Sequence, residues 1–366
     1  MNYSKNLVKT IAACIGAVMT TTVLAQVPAG YPAEYQKIID AAKKEAKLIV
    51  YSATDSKAAQ PLIKDFNAMY PGIVVEYNDM NSTELYNRFI SEVAAGGNTA
   101  DILWSSAMDL QMKLASDGYA MQYKSIEAAK MTNWSNWNDS AYGTTFEPVA
   151  IVYNKRLVDA KEVPKTHADF AKLILNPKFK DKVTTYDIEK SGVGFMFMTQ
   201  DARAYNQFRV LQNAFSVAKL RVQSSTGTML ERISSGENLI GYNILGSYAL
   251  VRAKTDPSIG VVLPRDYTLI LSRVQFINKA AKNPNAAKLW MDYLLSYRGQ
   301  TVIANESKLF AIRSDVRGET TSTDLIKLIG ANSIKPIPVH PVILTYLDQT
   351  KRMAFLKEWK EIVGKK

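Results

Sequence analysis

The 366-residue chain carries 45 Lys and Arg against 34 Asp and Glu, a formal net charge of +11, with one cysteine and two histidines. That inventory excludes a disulfide framework and a histidine-rich zinc site, and it contains no arginine-rich arm or RNA-binding signature, which argues against nucleic acid as a partner. A diffuse positive field favours capture of an anionic solute, or simply marks a basic exported protein. The chain opens with Lys5 and Lys9, an apolar run from Ile11 to Val18, and small residues in "TTTVLAQ", the order of a signal peptide cut after about Ala25. The run is too short to cross a bilayer as a permanent helix. Cys14 lies inside it, too early for a lipoprotein box, so the expected mature chain has no cysteine and a charge of +9 after loss of Lys5 and Lys9.

About 340 residues remain, enough for two lobes of ordinary domain size. "AEYQKIIDAAKKEA" predicts an amphipathic helix, and "KLIVYSATD" a short strand ending in hydroxyls. A helix follows over 56–69 and stops at "YPG"; "IVVEYND" is a second strand. The next helix opens on Asn81 with Glu84 at capping-box spacing, and Leu85, Phe89 and Val93 recur at helical intervals. "ADILWSS" and "AMDLQMKLASDGY" repeat the pattern, which predicts an α/β unit with a mainly parallel sheet. "YGTTFEPVAIVYNKRLV" then reads as one long extended segment, and a second α/β series runs through "KVTTYDI", "NAFSVAKLRVQ", "NLIGYNI" and "IGVVLP". A second long extended run, "TLILSRVQFINKA", precedes the helical "NPNAAKLWMDYLLSYRGQTVIAN". Two α/β lobes joined by two extended crossings account for this order. The first is expected from 26–146 plus 274–312, the second from 147–273 plus 313–366.

Catalytic motifs are absent from the sequence. There is no P-loop, no H-E-x-x-H and no G-x-S-x-G elbow, and "SGVGFMF" has Phe where a dinucleotide fingerprint needs its third glycine. His167 reads as a first-turn helix residue and His340 as a surface-loop residue. No enzyme activity, cofactor or resident metal is expected.

What recurs is hydroxyl or amide residues where a strand gives way to a helix: Ser52 and Thr54; Asn81, Ser82 and Thr83; Ser105 and Ser106; Ser224, Ser225, Thr226 and Thr228; Tyr242, Asn243 and Ser247. In "SSTGTMLERI" the Thr228–Glu231 spacing alone makes a capping box, so the other hydroxyls are surplus. Each position by itself reads as an ordinary cap. Together, in both lobes, they predict a shared cleft, because ligands of open α/β sheets bind beyond the strands' carboxyl ends and helix starts there attract anions.

The chain resembles the solute-binding protein of a bacterial ABC importer, in the two-lobed periplasmic class. The resemblance is carried by "LIVYSATD", "ADILWSSAMDLQMKLASDGY", "VAIVYNKRLV", "VPKTHADFAKLILNPKFKDKV", "GYNILGSYA" and, most specifically, "LILSRVQFINKAAKNPNAAKLWMDYLLSYRGQ". It is similar to the branch that includes ferric-iron, phosphonate and sugar-phosphate binding proteins. The resemblance implies a monomer that closes on a solute in the periplasm, delivers it to an inner-membrane permease and its ATPase, and performs no catalysis. Iron-binding members resemble one another in an adjacent tyrosine pair; here "GYNILGSYA" puts Asn243 in place of the second tyrosine, and only Tyr242, Glu147 and Asp187 offer anionic oxygens.

The expected solute is therefore a small anion, a phosphorylated compound first and an organic carboxylate second. A ferric-iron carrier and a solute sensor for a membrane kinase are the alternatives. Arg273 interrupts an apolar run and reads either as a guanidinium gripping the anion or as a charge paired with a nearby carboxylate. Tyr186 and Tyr248 read as solute contacts or packing, and Glu147 as a contact to a solute hydroxyl or ammonium or as a hinge brace. "SGVG" offers a backbone nest at Ser191 and Gly192, or a tight turn. The expected ligand-binding set is Ser52, Thr54, Ser82, Ser106, Ser191, Gly192, Ser225, Thr226, Tyr242, Asn243 and Arg273.

Overall fold

A computed structural model describes residues 27–364; the expected signal segment and its cut after Ala25 lie outside the described residues. The first unit runs α1 (Gln36–Glu45), β1 (Lys47–Ser52), α2 (Ser56–Met69), β2 (Val74–Asp79), α3 (Ser82–Ala94), β3 (Ile102–Ser105) and α4 (Met108–Ser116), followed by short β4 (Asn136–Trp137) and β5 (Ala141–Gly143). The second runs β6 (Glu147–Asn154), α5 (His167–Leu173), β7 (Val183–Tyr186), α6 (Gly192–Ala204), α7 (Phe208–Val217), β8 (Arg221–Gln223), α8 (Thr226–Ser234), β9 (Ile240–Leu245), α9 (Gly246–Thr255), β10 (Ile259–Val262) and β11 (Thr268–Leu271). The chain then continues through β12 (Val274–Ile277), α10 (Pro284–Leu295), α11 (Tyr297–Asn305), α12 (Ser322–Ile329), β13 (Ile334–Pro336) and α13 (Gln349–Ile362).

Two sheets result. The first has the order β2-β1-β3-β12-β5-β4, the second β13-β11-β6-β9-β7-β8, with β10 also paired to β6. In the first, β1 is parallel to β2 and β3; in the second, β7 is parallel to β8 and β9. These parallel strands all point their carboxyl ends toward helix starts, which places six such junctions on a common face. The returning strands β12 and β6 are antiparallel to their neighbours β3 and β9. The fold is two-lobed α/β.

Both long extended runs are broken where the chain changes lobe. The first ends β5 at Gly143 and starts β6 at Glu147; the second ends β11 at Leu271 and starts β12 at Val274. The strand predicted to run on through "NKRLV" stops at Asn154, because the Asn154 carboxamide accepts from the Arg156 N–H and turns the chain. The crossings bind one another: the Thr145 N–H donates to Ser272 Oγ at 3.1 Å, and the Arg273 N–H to Thr145 Oγ1 at 2.9 Å. A Cβ on Gly143 would lie 2.9 Å from that of Ser272, so only glycine lets the crossings approach this closely. The "NPNAA" start of α10 is held by Glu45, whose carboxylate accepts from the Asn285 and Ala286 N–H groups at 3.1 and 2.8 Å. That anchors the returning helix on α1 and completes the first lobe's core around Phe66, Trp104 and Trp290.

Candidate ligand-binding site

A cleft of about 520 Å³ lies between the lobes. Its first-lobe wall comes from the β1–α2, β2–α3 and β3–α4 junctions: Ala53, Asp55, Asp79, Ser82 and Ser106 among others. The second-lobe wall comes from the β7–α6, β8–α8 and β9–α9 junctions: Tyr186, Ser191, Ser224, Ser225, Thr226 and Tyr248. Six helices among the described residues therefore begin at this cavity. A helix start carries about half a positive charge, and the first-turn N–H groups that no cap takes are donors for a ligand.

The local sequence explains each junction. Asn81 caps α3, its carboxamide oxygen accepting from the Thr83 and Glu84 N–H groups at 3.1 and 2.9 Å, while its side-chain NH2, rather than the backbone N–H of a capping box, donates to Glu84. Ser191 caps α6 through the Gly194 N–H, and Ser225 caps α8 through the Thr228 N–H at 3.1 Å. The box expected at Thr228–Glu231 is thus displaced: the helix begins three residues earlier, since Ser225 has the extended backbone a cap needs. Of the surplus hydroxyls, Thr226 binds the Tyr186 hydroxyl and Thr228 binds Ser225 Oγ at 3.0 Å. Thr226 and Gly227, whose first-turn amides precede the capped one, line the cavity.

The structure brings Ser82, Ser106, Ser191, Ser225 and Thr226 together around the cleft. The remaining candidates stand elsewhere. Ser52, the last residue of β1, and Thr54 in the turn after it are fully buried; Ser52 Oγ donates to the Trp104 carbonyl and accepts from the Thr54 N–H. Tyr242 and Asn243 turn into the second lobe. There the Tyr242 hydroxyl and the Asn243 amide both donate to the buried Asp201 carboxylate, at 3.0 and 2.7 Å, and Tyr267 adds a third donor at 2.7 Å. Asn243 has φ +57, a left-handed conformation that asparagine tolerates better than most residues, which explains its place after Tyr242. Burial and the Asp201 charge hold the Tyr242 phenol protonated.

Arg273 realises the second of its two readings. Its Nε and Nη2 donate to the two Glu147 oxygens at 2.7 and 3.1 Å, and both side chains are completely buried. Nη1 reaches Thr54 Oγ1 at 3.0 Å, and the guanidinium lies 5.2 Å from the Tyr248 ring centre. Glu147 also accepts from Thr145 and Ser247. This ion pair sits where the crossings meet, so it joins both lobes beneath the cleft rather than lining it.

The "SGVG" amides are likewise taken. The Gly192 N–H donates to Thr83 Oγ1 at 3.0 Å and the Val193 N–H to Ser82 Oγ at 3.4 Å, while Thr83 Oγ1 donates to the Lys190 carbonyl. First-lobe hydroxyls thus cap the start of α6 across the cleft, in place of a solute. The lobes are in contact at this edge.

Sequence reasoning passed over the three charged lining residues. Asp55 and Asp79 each end a strand segment ("YSATD", "EYND") and look like helix caps; Lys190 lies at the opposite rim, 3.7 Å from Asp187. Burial raises the Asp55 carboxyl above its ordinary value, opposed by Arg273 and reinforced by Asp79. Burial also pushes the Tyr248 phenol up to about 12.

Comparison with known proteins decides the family. Residues 52–301 match the family model of bacterial extracellular solute-binding proteins. The chain belongs to that family. It is similar to the substrate-binding protein of an ABC transporter from Agrobacterium tumefaciens, with 39% identity over 87% of this chain and 94% of that one and a TM-score of 0.82. Two more distant structures share the fold. One is the periplasmic binding protein AfuA from Actinobacillus pleuropneumoniae with fructose-6-phosphate bound, 18% identical over 87% and 98% of the two chains, TM-score 0.69. The other is the apo ferric ion-binding protein A of Pasteurella haemolytica, 16% identical over 86% and 98%, TM-score 0.69.

Proposed function

We propose that this solute-binding protein captures a small anionic solute in the interlobe cleft and delivers it to an inner-membrane ABC permease. It acts as an exported, periplasmic monomer whose signal peptide is cut after about Ala25. The lobes comprise 26–146 plus 274–312 and 147–273 plus 313–366, a division supported by the sheet membership of the strands on either side of each crossing. The observation that carries the reading is the convergence of six helix starts on one cavity. Their summed partial charges, together with the first-turn amides of Thr226 and Gly227 on α8, suit phosphate, phosphonate or carboxylate oxygens. A volume of about 520 Å³ suits a solute of sugar-phosphate size. Ser82, Ser106, Ser191, Ser225 and Thr226 supply hydroxyls, and their arrangement on both walls means that only the closed form makes every contact.

Ferric iron is less well supported by the same geometry. A trivalent cation needs several anionic oxygens together, and six positive helix ends oppose it. Tyr242 and Glu147 are committed to Asp201 and Arg273, away from the cavity. A thermal-shift screen of ligand-stripped protein tests the reading, since a solute bound only by the native state raises the melting temperature. Sugar phosphates, alkyl phosphates, phosphonates and dicarboxylates are compared with ferric citrate. A shift with an anion class and none with iron is expected; a shift with ferric ion alone, reproduced without citrate, overturns it.

A further inference from the structure

Asp55 stands at the cap position of α2 and does not cap it. That task falls to Asp79 on the neighbouring strand, whose Oδ2 accepts from the Ser56 N–H at 2.7 Å and from Ser56 Oγ at 3.1 Å. The Asp55 N–H donates across the cleft to the Tyr248 hydroxyl at 3.3 Å, which fixes the residue against the opposite wall. Its carboxylate makes no cap and lines the cavity, with the Tyr248 hydroxyl and the Arg273 charge beside it. No Lys or Arg forms an ion pair with it among the described residues, and the Arg273 guanidinium is committed to Glu147.

A carboxylate in a cavity ringed by helix starts conflicts with a purely anionic solute. Like charges held a few ångströms apart in such a cavity repel one another and weaken binding. The conflict disappears if the solute itself is dipolar. On the reading that this cleft binds an anion, we propose that the solute also carries a protonated amine: its anionic group lies at the start of α8, and its ammonium pairs with Asp55. Asp55 is then the specificity-determining residue. It rejects simple anions and selects those with a positive group at the other end. Asp79 adds a second negative charge on the same wall and strengthens that selection.

The test uses two matched pairs that differ by one amine: phosphoethanolamine against ethyl phosphate, and β-alanine against propionate. Each is titrated calorimetrically into wild type and Asp55→Asn. Asparagine preserves size, and because Asp55 makes no cap the variant's melting temperature should match wild type. The expected result is a preference of tenfold or more for the amine-bearing member of one pair, which Asp55→Asn abolishes while binding the plain anion equally or more tightly. Equal affinities within the pair in wild type, or a preference that survives Asp55→Asn, overturns the proposal and leaves the anion reading standing. Failure of all four to bind overturns the proposal, while the anion reading stands or falls on the thermal-shift screen.

Discussion

At Arg273 one side chain decides whether the crossings hold together. A buried ion pair is costly to assemble, but removing one partner strands the other in a medium that cannot solvate it. Arg273→Ala leaves the Glu147 carboxylate fully buried with only Thr145 and Ser247 as donors. The expected loss is roughly 3–5 kcal/mol of unfolding free energy, read by denaturant titration. Unchanged stability with weakened solute binding would instead make Arg273 a ligand. The sequence showed a charge inside an apolar run but could not choose its partner, since Glu147 is 126 residues away. Tyr242 illegibly shares that difficulty. All six residues of β9 are buried, so the alternation that separates a strand's two faces gives no clue to which side chains meet the cleft.

At the level of elements the proposed site rests on helix starts, and these were legible. Strand-then-helix periodicity located β1 to β3 and β7 to β9 with their following helices, and the hydroxyl clusters marked the junctions now gathered at the cavity. What sequence could not supply was occupancy: which amides are capped locally, which are taken by the other lobe, and which face the cavity. The start of α4 holds a further consequence. Asp109 is 3% exposed, wedged at the lobe edge against α3, α6 and α13, with Tyr86, Lys113 and Arg352 as the titratable and charged groups around it. Burial pushes its carboxyl up to about 7, while the Leu110 N–H and the Arg352 charge act in the opposite direction.

Opening the lobes hydrates Asp109 and returns it toward an ordinary carboxylate value of about 4. The closed form then holds more protons than the open form between about pH 4 and 7. Closure, and with it solute affinity, should strengthen as pH falls through 7 and show no further Asp109-dependent change above that. The ratio of wild-type to Asp109→Asn affinity at pH 8 and pH 5.5 isolates this effect from titration of the solute itself. Wild type should gain on the variant as pH falls; a constant ratio would mean that Asp109 stays buried in both forms.

On the scale of the whole molecule, the two lobes are complementary half-sites hinged at paired crossings. Thr83 and Ser82 reach α6 from the first lobe, Tyr248 reaches Asp55 from the second, and Arg273 and Glu147 lock the floor. A solute that bridges the walls adds to contacts the lobes already make with each other, so binding and closure reinforce one another. The most direct measurement of the central claim is the affinity of Ser225→Asp for the best anion of the thermal-shift screen. Aspartate caps a helix as well as serine, so α8 and the melting temperature should be preserved or improved. The added charge occupies the lip where the anion is expected, at a cost of roughly 3 kcal/mol, or on the order of a hundredfold in affinity. That loss is the predicted result. Unchanged affinity in a stably folded Ser225→Asp protein would show that the anion does not sit at the start of α8, and would contradict the account.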